Sequence, residues 1–195
     1  MKRIIIAAFL ILLAKVSPAQ QDLLSFDEHN KYIYYQVVDI PGITADSLHG
    51  RGWYFLKTTY PKYKLKNPNA GSITGEGRFM IYNGLSILKH EGGEISYQLN
   101  IEFKDQKYRY WLTSFIFTPY ERDRYGNFVP KLGIEIPLET AQSKLDKKEL
   151  DNYLNETGAF CKQFGDKLKL SMTTPLRKEE VVKKEEAKKV VTDKW

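Results

Sequence analysis

A strictly alternating strand constrains the fold of this chain more than any other feature. Apolar and polar residues alternate without a break from residue 95 to residue 104. Such a pattern predicts a strand with one buried side and one side in water. Asp105 and Gln106 then close a tight hairpin into a second strand over residues 107–118. The centre of the chain is therefore an antiparallel sheet with one covered face.

The register of this hairpin follows if the two residues that flank the turn pair with each other. On the wet face Glu102 then lies opposite Arg109, a favourable pair worth about 0.2–1 kcal/mol. The expected buried pairs are Phe103–Tyr108, Ile101–Tyr110 and Leu99–Leu112. The same register places Trp111, Phe115 and Phe117 on the wet face. We expect a loop or helix to cover them, because they would otherwise form a large exposed apolar patch.

Two amphipathic helices are predicted on either side of this hairpin in the sequence. The first is capped by Thr44 and ends before Tyr60, which precedes a proline. The second begins at Asp146 and Glu149, whose spacing is that of a capping box, and keeps an apolar stripe as far as Leu168. The sequence thus predicts an α+β fold with a short first helix and a long C-terminal helix.

The N-terminus has the features of a cleavable signal peptide over residues 1–19. Lys2 and Arg3 precede an apolar run at residues 4–13, and Ala19 ends a small-residue cleavage site before Gln20. The run is too short to span a bilayer, and we expect no transmembrane span after removal of the leader. The predicted location is the periplasm, the outer envelope or the extracellular space.

The remaining chain divides into three predicted segments. Residues 20–30 are a flexible lead-in, residues 31–174 a single domain, and residues 175–195 a charged tail that is disordered or forms a solvated helix. The basic balance of the chain, 30 Lys and Arg against 24 Asp and Glu, comes mostly from the leader and this tail. The predicted domain is close to neutral, which argues against nucleic acid as a partner.

No pattern of catalytic or metal-binding residues emerges from the sequence. Cys161 falls on the apolar stripe of the long helix, which predicts a buried and unreactive thiol. Carboxylates such as Glu94 lack a spacing that brings two of them together in a pocket. The histidines do not have the spacing of metal ligands; they are His29, His49 and His90. We therefore predict no metal site, no cofactor and no catalytic residue.

The order of several short motifs resembles a known family. The motifs are Val38-Asp39-Ile40-Pro41-Gly42, Gly75-Glu76-Gly77-Arg78-Phe79, Tyr97-Gln98-Leu99-Asn100-Ile101, Lys104-Asp105-Gln106-Lys107-Tyr108-Arg109-Tyr110 and Ile136-Pro137-Leu138-Glu139. Over residues 35–140 the chain resembles an uncharacterised family of exported proteins of Gram-negative bacteria, a domain of unknown function with a TBP-like fold. The resemblance implies a curved antiparallel sheet with helices packed on one side. It implies no activity, and the fold label does not imply DNA binding.

The segment between Pro119 and Pro130 is the best candidate for recognition. It is rich in aromatic and charged residues, and Tyr and Arg are enriched in binding hot spots. The alternative is a hairpin that extends the strands, with Gly126 and Asn127 in its turn. The candidate binding residues are Trp111, Tyr120, Arg122, Arg124 and Tyr125.

Three functions remain open from the sequence. The first is a non-enzymatic binding or interaction module of the cell envelope, with an envelope protein or a glycan as its partner. The second is a carrier of a small apolar ligand, held between the sheet and the C-terminal helix. The third is an enzyme whose site is assembled from residues far apart in the sequence.

Overall fold

A computed structural model of the 195-residue chain describes residues 23–69, 71–83 and 89–175. The predicted leader at residues 1–19 and the predicted tail from residue 176 onward lie outside the described residues. No helix in the described ranges is long and apolar enough to cross a membrane.

The described residues form an antiparallel sheet. Its strands have the order β1-β2-β6-β5-β4-β3, and β7 and β8 both pair with β6. The strands are β1 Ser25–Phe26, β2 Tyr32–Asp39, β3 Lys64–Asn69, β4 Ser72–Asn83, β5 His90–Lys104, β6 Lys107–Arg122, β7 Phe128–Pro130 and β8 Ile136–Pro137. Two of them were not expected from the sequence. β1 lies within the predicted lead-in, and β3 runs into a Pro- and Asn-containing cluster that favours a turn.

Two α-helices and one 3-10 helix accompany the sheet. Helix α1 spans Ala45–Thr59, helix α2 spans Lys147–Thr173, and the 3-10 helix η1 spans Leu138–Ser143. Thr44 caps α1, and Asp146 and Glu149 form the expected capping box at the start of α2. The predicted α+β class is confirmed: a curved antiparallel sheet carries a short first helix and a long C-terminal helix.

The turn between β5 and β6 is fixed to the start of α1. The Asp105 carboxylate accepts a hydrogen bond of 2.8 Å from the backbone N–H of Ala45. The N–H of Gln106 donates to the carbonyl of Ile43 at 2.8 Å, and its carbonyl accepts from the N–H of Ile40 at 2.7 Å. The bond to Asp105 satisfies an N–H at the helix start that has no partner within the helix, and the three bonds together join the central hairpin to the start of α1 and to the end of β2.

The predicted hairpin register is confirmed up to Thr113. The three buried apolar pairs and the pair of Glu102 with Arg109 all form as expected. Arg109 Nη2 lies 2.6 Å from a Glu102 oxygen. Lys104 pairs with Lys107 across the turn, so the two flanking residues do set the register.

Beyond Thr113 the prediction is wrong, because β6 contains a bulge. Thr113 pairs with Gln98 but Ile116 pairs with Ser96, so β6 has gained one residue, and Ser114 has a positive φ of 56°. An extra residue turns every later side chain to the opposite face. Phe115 and Phe117 are therefore buried in the core, at 0% and 2% exposure. Both lie on the face that α2 covers, where Phe117 packs against Tyr153, whereas Trp111 stays half-buried on the opposite face.

The core lies between the sheet and the two helices. Phe164 of α2 packs against Phe55 of α1 and Tyr110 of β6, with ring centroids about 6 Å apart. Cys161 is fully buried, and burial raises the pKa of its thiol. The expectation of a buried thiol is confirmed, and the raised pKa keeps the thiol protonated and unreactive.

Candidate interaction surfaces

The sheet face opposite the helices is accessible to solvent, and we call it the open face. Along β5 and β6 the side chains that point away from the helices are half-buried or exposed, with the exception of Glu94, while their neighbours are buried. Neither described α-helix packs on this face, because both pack against the buried core residues. Any partner of the sheet would meet the open face or one of the sheet edges.

Trp111 lies on the open face between two neighbours, and we call the three residues the aromatic cluster. Its cross-strand partner on β2 is Tyr35, whose ring centroid is 6.4 Å away and whose side chain is 46% exposed. The guanidinium of Arg109 lies 5.6 Å from the centroid of the Trp111 ring. Its hydrogen bonds to Glu102 first, and to Tyr35 second, raise the pKa of Arg109 further. The cluster therefore presents aromatic surface beside a cation that is already partly neutralised.

A second group of polar residues lies farther along the open face. The buried carboxylate of Glu94 accepts hydrogen bonds from Arg78 at 2.7 Å and from the Tyr120 hydroxyl at 3.1 Å. Burial first, and the bond to Glu94 second, raise the pKa of the Tyr120 hydroxyl. Tyr120 was predicted as a binding residue, whereas Arg78 and Glu94 were not. The sequence carries no signal for their contact, since it depends on how β4 and β5 align.

The segment from residue 119 to residue 130 forms a hairpin that extends β6 into β7. Asp123 organises its turn, because its Oδ1 accepts from the N–H of Tyr125 and of Asn127, each at 2.8 Å. Gly126 has a positive φ of 85°, a conformation that glycine adopts without strain. The alternative in which this segment extends the strands is thus the one observed.

The five predicted binding residues lie in two separate places. Arg122, Arg124 and Tyr125 are exposed around the hairpin tip. The Arg124 guanidinium lies 5.0 Å from the Tyr125 ring centroid, and Arg122 lies 5.4 Å from that of Phe128. Trp111 is nine residues before Tyr120 on the same strand, a distance of roughly 30 Å. The structure therefore joins four of the residues at the hairpin and places Trp111 apart from them.

A cavity of about 430 Å³ opens at the edge of β4, beyond the start of β3. Tyr63 and Tyr97 line it. Both of their hydroxyl oxygens are buried without a hydrogen-bond partner in the described structure. A Cβ at Gly77 would lie 2.6 Å from the Tyr97 hydroxyl and from Cζ of Tyr63. The glycine therefore allows the two rings to approach the strand closely.

The space between the sheet and α2 is filled by side chains. Tyr110, Phe115, Phe164 and Leu168 are at most 3% exposed there. A second concavity, an open groove of about 1180 Å³, runs along the outer edge of β2 instead. The first cavity extends from the edge of β4 as far as Ser96 and Ile116 on the central strands, so neither cavity lies between the sheet and α2.

The histidines occupy unrelated positions. His29 is exposed beside Glu28, His49 meets the ring of Phe103 edge-on, and His90 stacks on Phe128. Within residues 23–69, 71–83 and 89–175, no group of three or more His, Cys, Asp or Glu residues is placed to hold a metal ion.

Comparison with known proteins gives a family match and similar solved structures. Residues 34–118 match the model of a family described as a domain of unknown function (DUF4468) with TBP-like fold. A TBP-like protein from Parabacteroides distasonis ATCC 8503 is similar in structure, with a TM-score of 0.61 and 14% identity over 78% of this chain and 98% of that chain. A DUF4468 family protein from Bacteroides ovatus ATCC 8483 has a TM-score of 0.58 and 15% identity over 78% of this chain and 92% of that chain. These likenesses show the fold, and no curated protein matches the chain.

Proposed function

Residues 34–118 match the DUF4468 family with its TBP-like fold, and from this premise we propose that the protein is a non-enzymatic interaction module exported to the cell envelope. Its partner is an envelope protein or a glycan that meets the open face at the aromatic cluster of Tyr35, Arg109 and Trp111. The export rests on the N-terminal sequence, whose charged start, apolar run and small-residue site are those of a signal peptide.

The observation that carries the proposal is the accessible aromatic cluster. A half-buried Trp111, an exposed Tyr35 and an Arg109 above the indole ring combine the residue types that contribute most to binding hot spots. Rigid neighbouring strands hold all three, so little side-chain entropy is lost when a partner binds. A flat aromatic surface beside polar side chains suits either a protein or the apolar face of a sugar ring.

Charge on the open face argues against nucleic acid as the partner. Arg109 is paired with Glu102 and Arg78 with Glu94, at 2.6 Å and 2.7 Å. Phosphate binding needs cations that are available to replace counterions, and these two arginines already have carboxylate partners. The face is therefore suited to a partner that is held by shape, aromatic contact and hydrogen bonds.

A photo-crosslinking amino acid at position 111, introduced in the native host, tests the proposal. We expect crosslinked products that disappear when Tyr35 and Arg109 are both changed to alanine. The same amino acid at Asn152, an exposed position on α2, is the matched control. Products at position 111 that equal those at position 152 would overturn the proposal. The intact mass of the purified protein tests export, since cleavage should leave a chain that begins at Gln20.

The cavity at the edge of β4 favours a second candidate, the carriage of a small ligand. Its volume of about 430 Å³ is within the usual range for ligand sites, and the unpaired hydroxyls of Tyr63 and Tyr97 would gain from a polar group on the ligand. Native mass spectrometry of the protein from its host would show such a ligand as added mass. The Gly77→Ala variant, which narrows the cavity, should then lose that mass.

A further inference from the structure

The outer edge of β2 has an unpaired stretch. β1 pairs with this edge only at Ile33 and Tyr32. From Tyr34 to Asp39 no strand of the described ranges pairs with it, although β6 pairs with the inner edge of β2 as far as Asp39. The unpaired stretch is about 20 Å long, which is enough for an added strand of six residues.

Alternate residues of this edge point their backbone groups outward. The N–H of Ile40 donates inward to Gln106, and successive residues of an antiparallel strand bond to opposite sides. Tyr34, Gln36 and Val38 therefore direct their N–H and C=O groups to β6. The residues that direct theirs outward are Tyr35, Val37 and Asp39.

This edge lacks the features that usually prevent strand pairing. Sheet edges are commonly protected by lysines, prolines or bulges, but residues 33–38 are uncharged, contain no proline and pair with β6 without a register shift. Val37 and Tyr35 are 54% and 46% exposed, and Phe26 at one end of the edge is 59% exposed. An apolar edge that is left accessible is suited to pairing with another strand.

The groove beside this edge has an acidic character that selects among possible strands. Asp27 and Glu28 line one end of the groove and Asp39 the other, and Asp166 of α2 adds a fourth carboxylate. Among the described residues, two ammonium groups line it, those of Lys162 and Lys169. A second copy, paired antiparallel, would bring its own Asp39 toward Asp27 and Glu28. A strand with basic residues at both ends would meet opposite charge instead.

We propose that the outer edge of β2 binds an extended segment of a partner protein as an added strand, one that alternates apolar residues and carries Lys or Arg at both ends. The outward N–H and C=O groups of Tyr35, Val37 and Asp39 provide its hydrogen bonds. Apolar side chains of the segment pack on Tyr35 and Val37, and its basic ends meet the carboxylates. This deepens the interaction role proposed above and rests on it.

The test uses a synthetic peptide with the protein purified from its host. The probe is fluorescein-labelled Lys-Thr-Val-Thr-Val-Thr-Lys, and its binding is followed by fluorescence anisotropy at low salt. We expect saturable binding that weakens about tenfold when both lysines of the peptide are replaced by glutamate. N-methylation of one alternate set of peptide amides should weaken binding at least about tenfold, and N-methylation of the other set should not, because only one set faces β2.

A protein variant supplies an independent control. Val37→Pro removes an outward N–H and leaves the hydrogen bonds to β6 intact, so it should weaken peptide binding at least about tenfold while the protein keeps its fold by circular dichroism. The proposal would be overturned if N-methylation left the affinity unchanged for both sets of peptide amides. It would also be overturned if no binding were detected at about 1 mM peptide.

Other occupants of the edge would give distinct results. A concentration-dependent dimer that the peptide dissociates would assign the edge to a second copy. Stronger competition by a synthetic peptide of residues 176–195 would assign it to the tail of the chain. Either result would overturn the proposal. The Trp111→Ala variant separates the two proposals. If it still binds the peptide, and position 111 gives no specific crosslinks, the proposal for the edge of β2 is supported and the proposal for the open face is wrong.

Discussion

The hydroxyl of Tyr110 occupies the space that a Cβ would take at Gly165 of α2. Tyr110 is held by neighbouring rings, including Tyr34, Tyr108 and Phe164, and cannot move aside freely. The missing side chain at Gly165 thus allows the long helix to approach the sheet. This contact decides how closely α2 can pack above β6.

Gly165→Ala should therefore destabilise the protein, although alanine is the better helix former. Overpacking costs about 1–3 kcal/mol, against a helix-propensity gain of about 1 kcal/mol, so we expect a net loss of about 1 kcal/mol in the free energy of unfolding. Gly50→Ala in α1 is the matched control, since nothing lies within 4 Å of its Cβ position, and it should stabilise. In urea denaturation, Gly165→Ala should lower the free energy of unfolding less when Tyr110 is also changed to phenylalanine, because the clashing hydroxyl is then absent. Equal costs in both backgrounds would contradict the steric explanation.

The bulge at Ser114 gives a second prediction. Its φ of 56° is costly for a residue with a Cβ and costs nothing for glycine. Ser114→Gly should raise the free energy of unfolding by about 0.5–1 kcal/mol, as measured by urea denaturation. Thr113→Gly on the same strand should lower it, because that residue has regular strand geometry and bonds to the Tyr32 carbonyl. A loss of stability in Ser114→Gly would contradict the argument.

The bulge also explains where sequence reasoning succeeded and where it failed. Matching opposite charges and apolar residues across the hairpin predicts the register as far as Thr113. Up to that point each residue of β6 lies opposite one residue of β5. The apolar residues then step from Leu112 to Phe115, three positions instead of two. This odd spacing is the only sign of the bulge in the sequence, because the residue with the positive φ, Ser114, is not a glycine. Contacts such as Arg78 with Glu94 depend on the alignment of β4 with β5, which no local pattern specifies.

The turn at Gln106 offers a third prediction. Gln106 has a φ of 64°, a conformation that favours glycine, and it is exposed at the end of the hairpin. Gln106→Gly should therefore stabilise the protein by about 0.5–1 kcal/mol. The backbone bonds to Ile40 and Ile43 do not depend on the side chain. Asp105→Ala should have the opposite effect and lose about 0.5–2 kcal/mol, because it removes the acceptor at the N–H of Ala45. Both changes are measured as shifts in the urea midpoint.

The side chains at the hairpin tip should contribute little to stability. Arg122, Arg124 and Tyr125 are exposed, and their contacts stay within the hairpin. Replacing all three with alanine should change the melting temperature by no more than about 6 °C, since exposed substitutions usually cost less than about 0.5 kcal/mol each. Calorimetry provides the measurement. A larger fall in the melting temperature would make the tip a structural element and remove it from the candidate binding residues.

The carboxyl of Asp123 should titrate below its ordinary pKa of 3.8, because the N–H groups of Asn127 first and Tyr125 next donate to its ionised form. A pKa that is lower in the folded state stabilises that state above the ordinary value, and the benefit is lost as the pH falls through the lowered pKa. The hairpin should therefore loosen only below about pH 4. Carbon-13 NMR titration of the Asp123 carboxyl measures the midpoint directly. Asn127→Pro removes the main donor and should raise that midpoint toward 3.8, whereas Arg124→Ala, which leaves both N–H groups in place, should keep it low. A midpoint at or above 3.8 in the unmodified protein would mean that Asp123 does not hold the turn in solution.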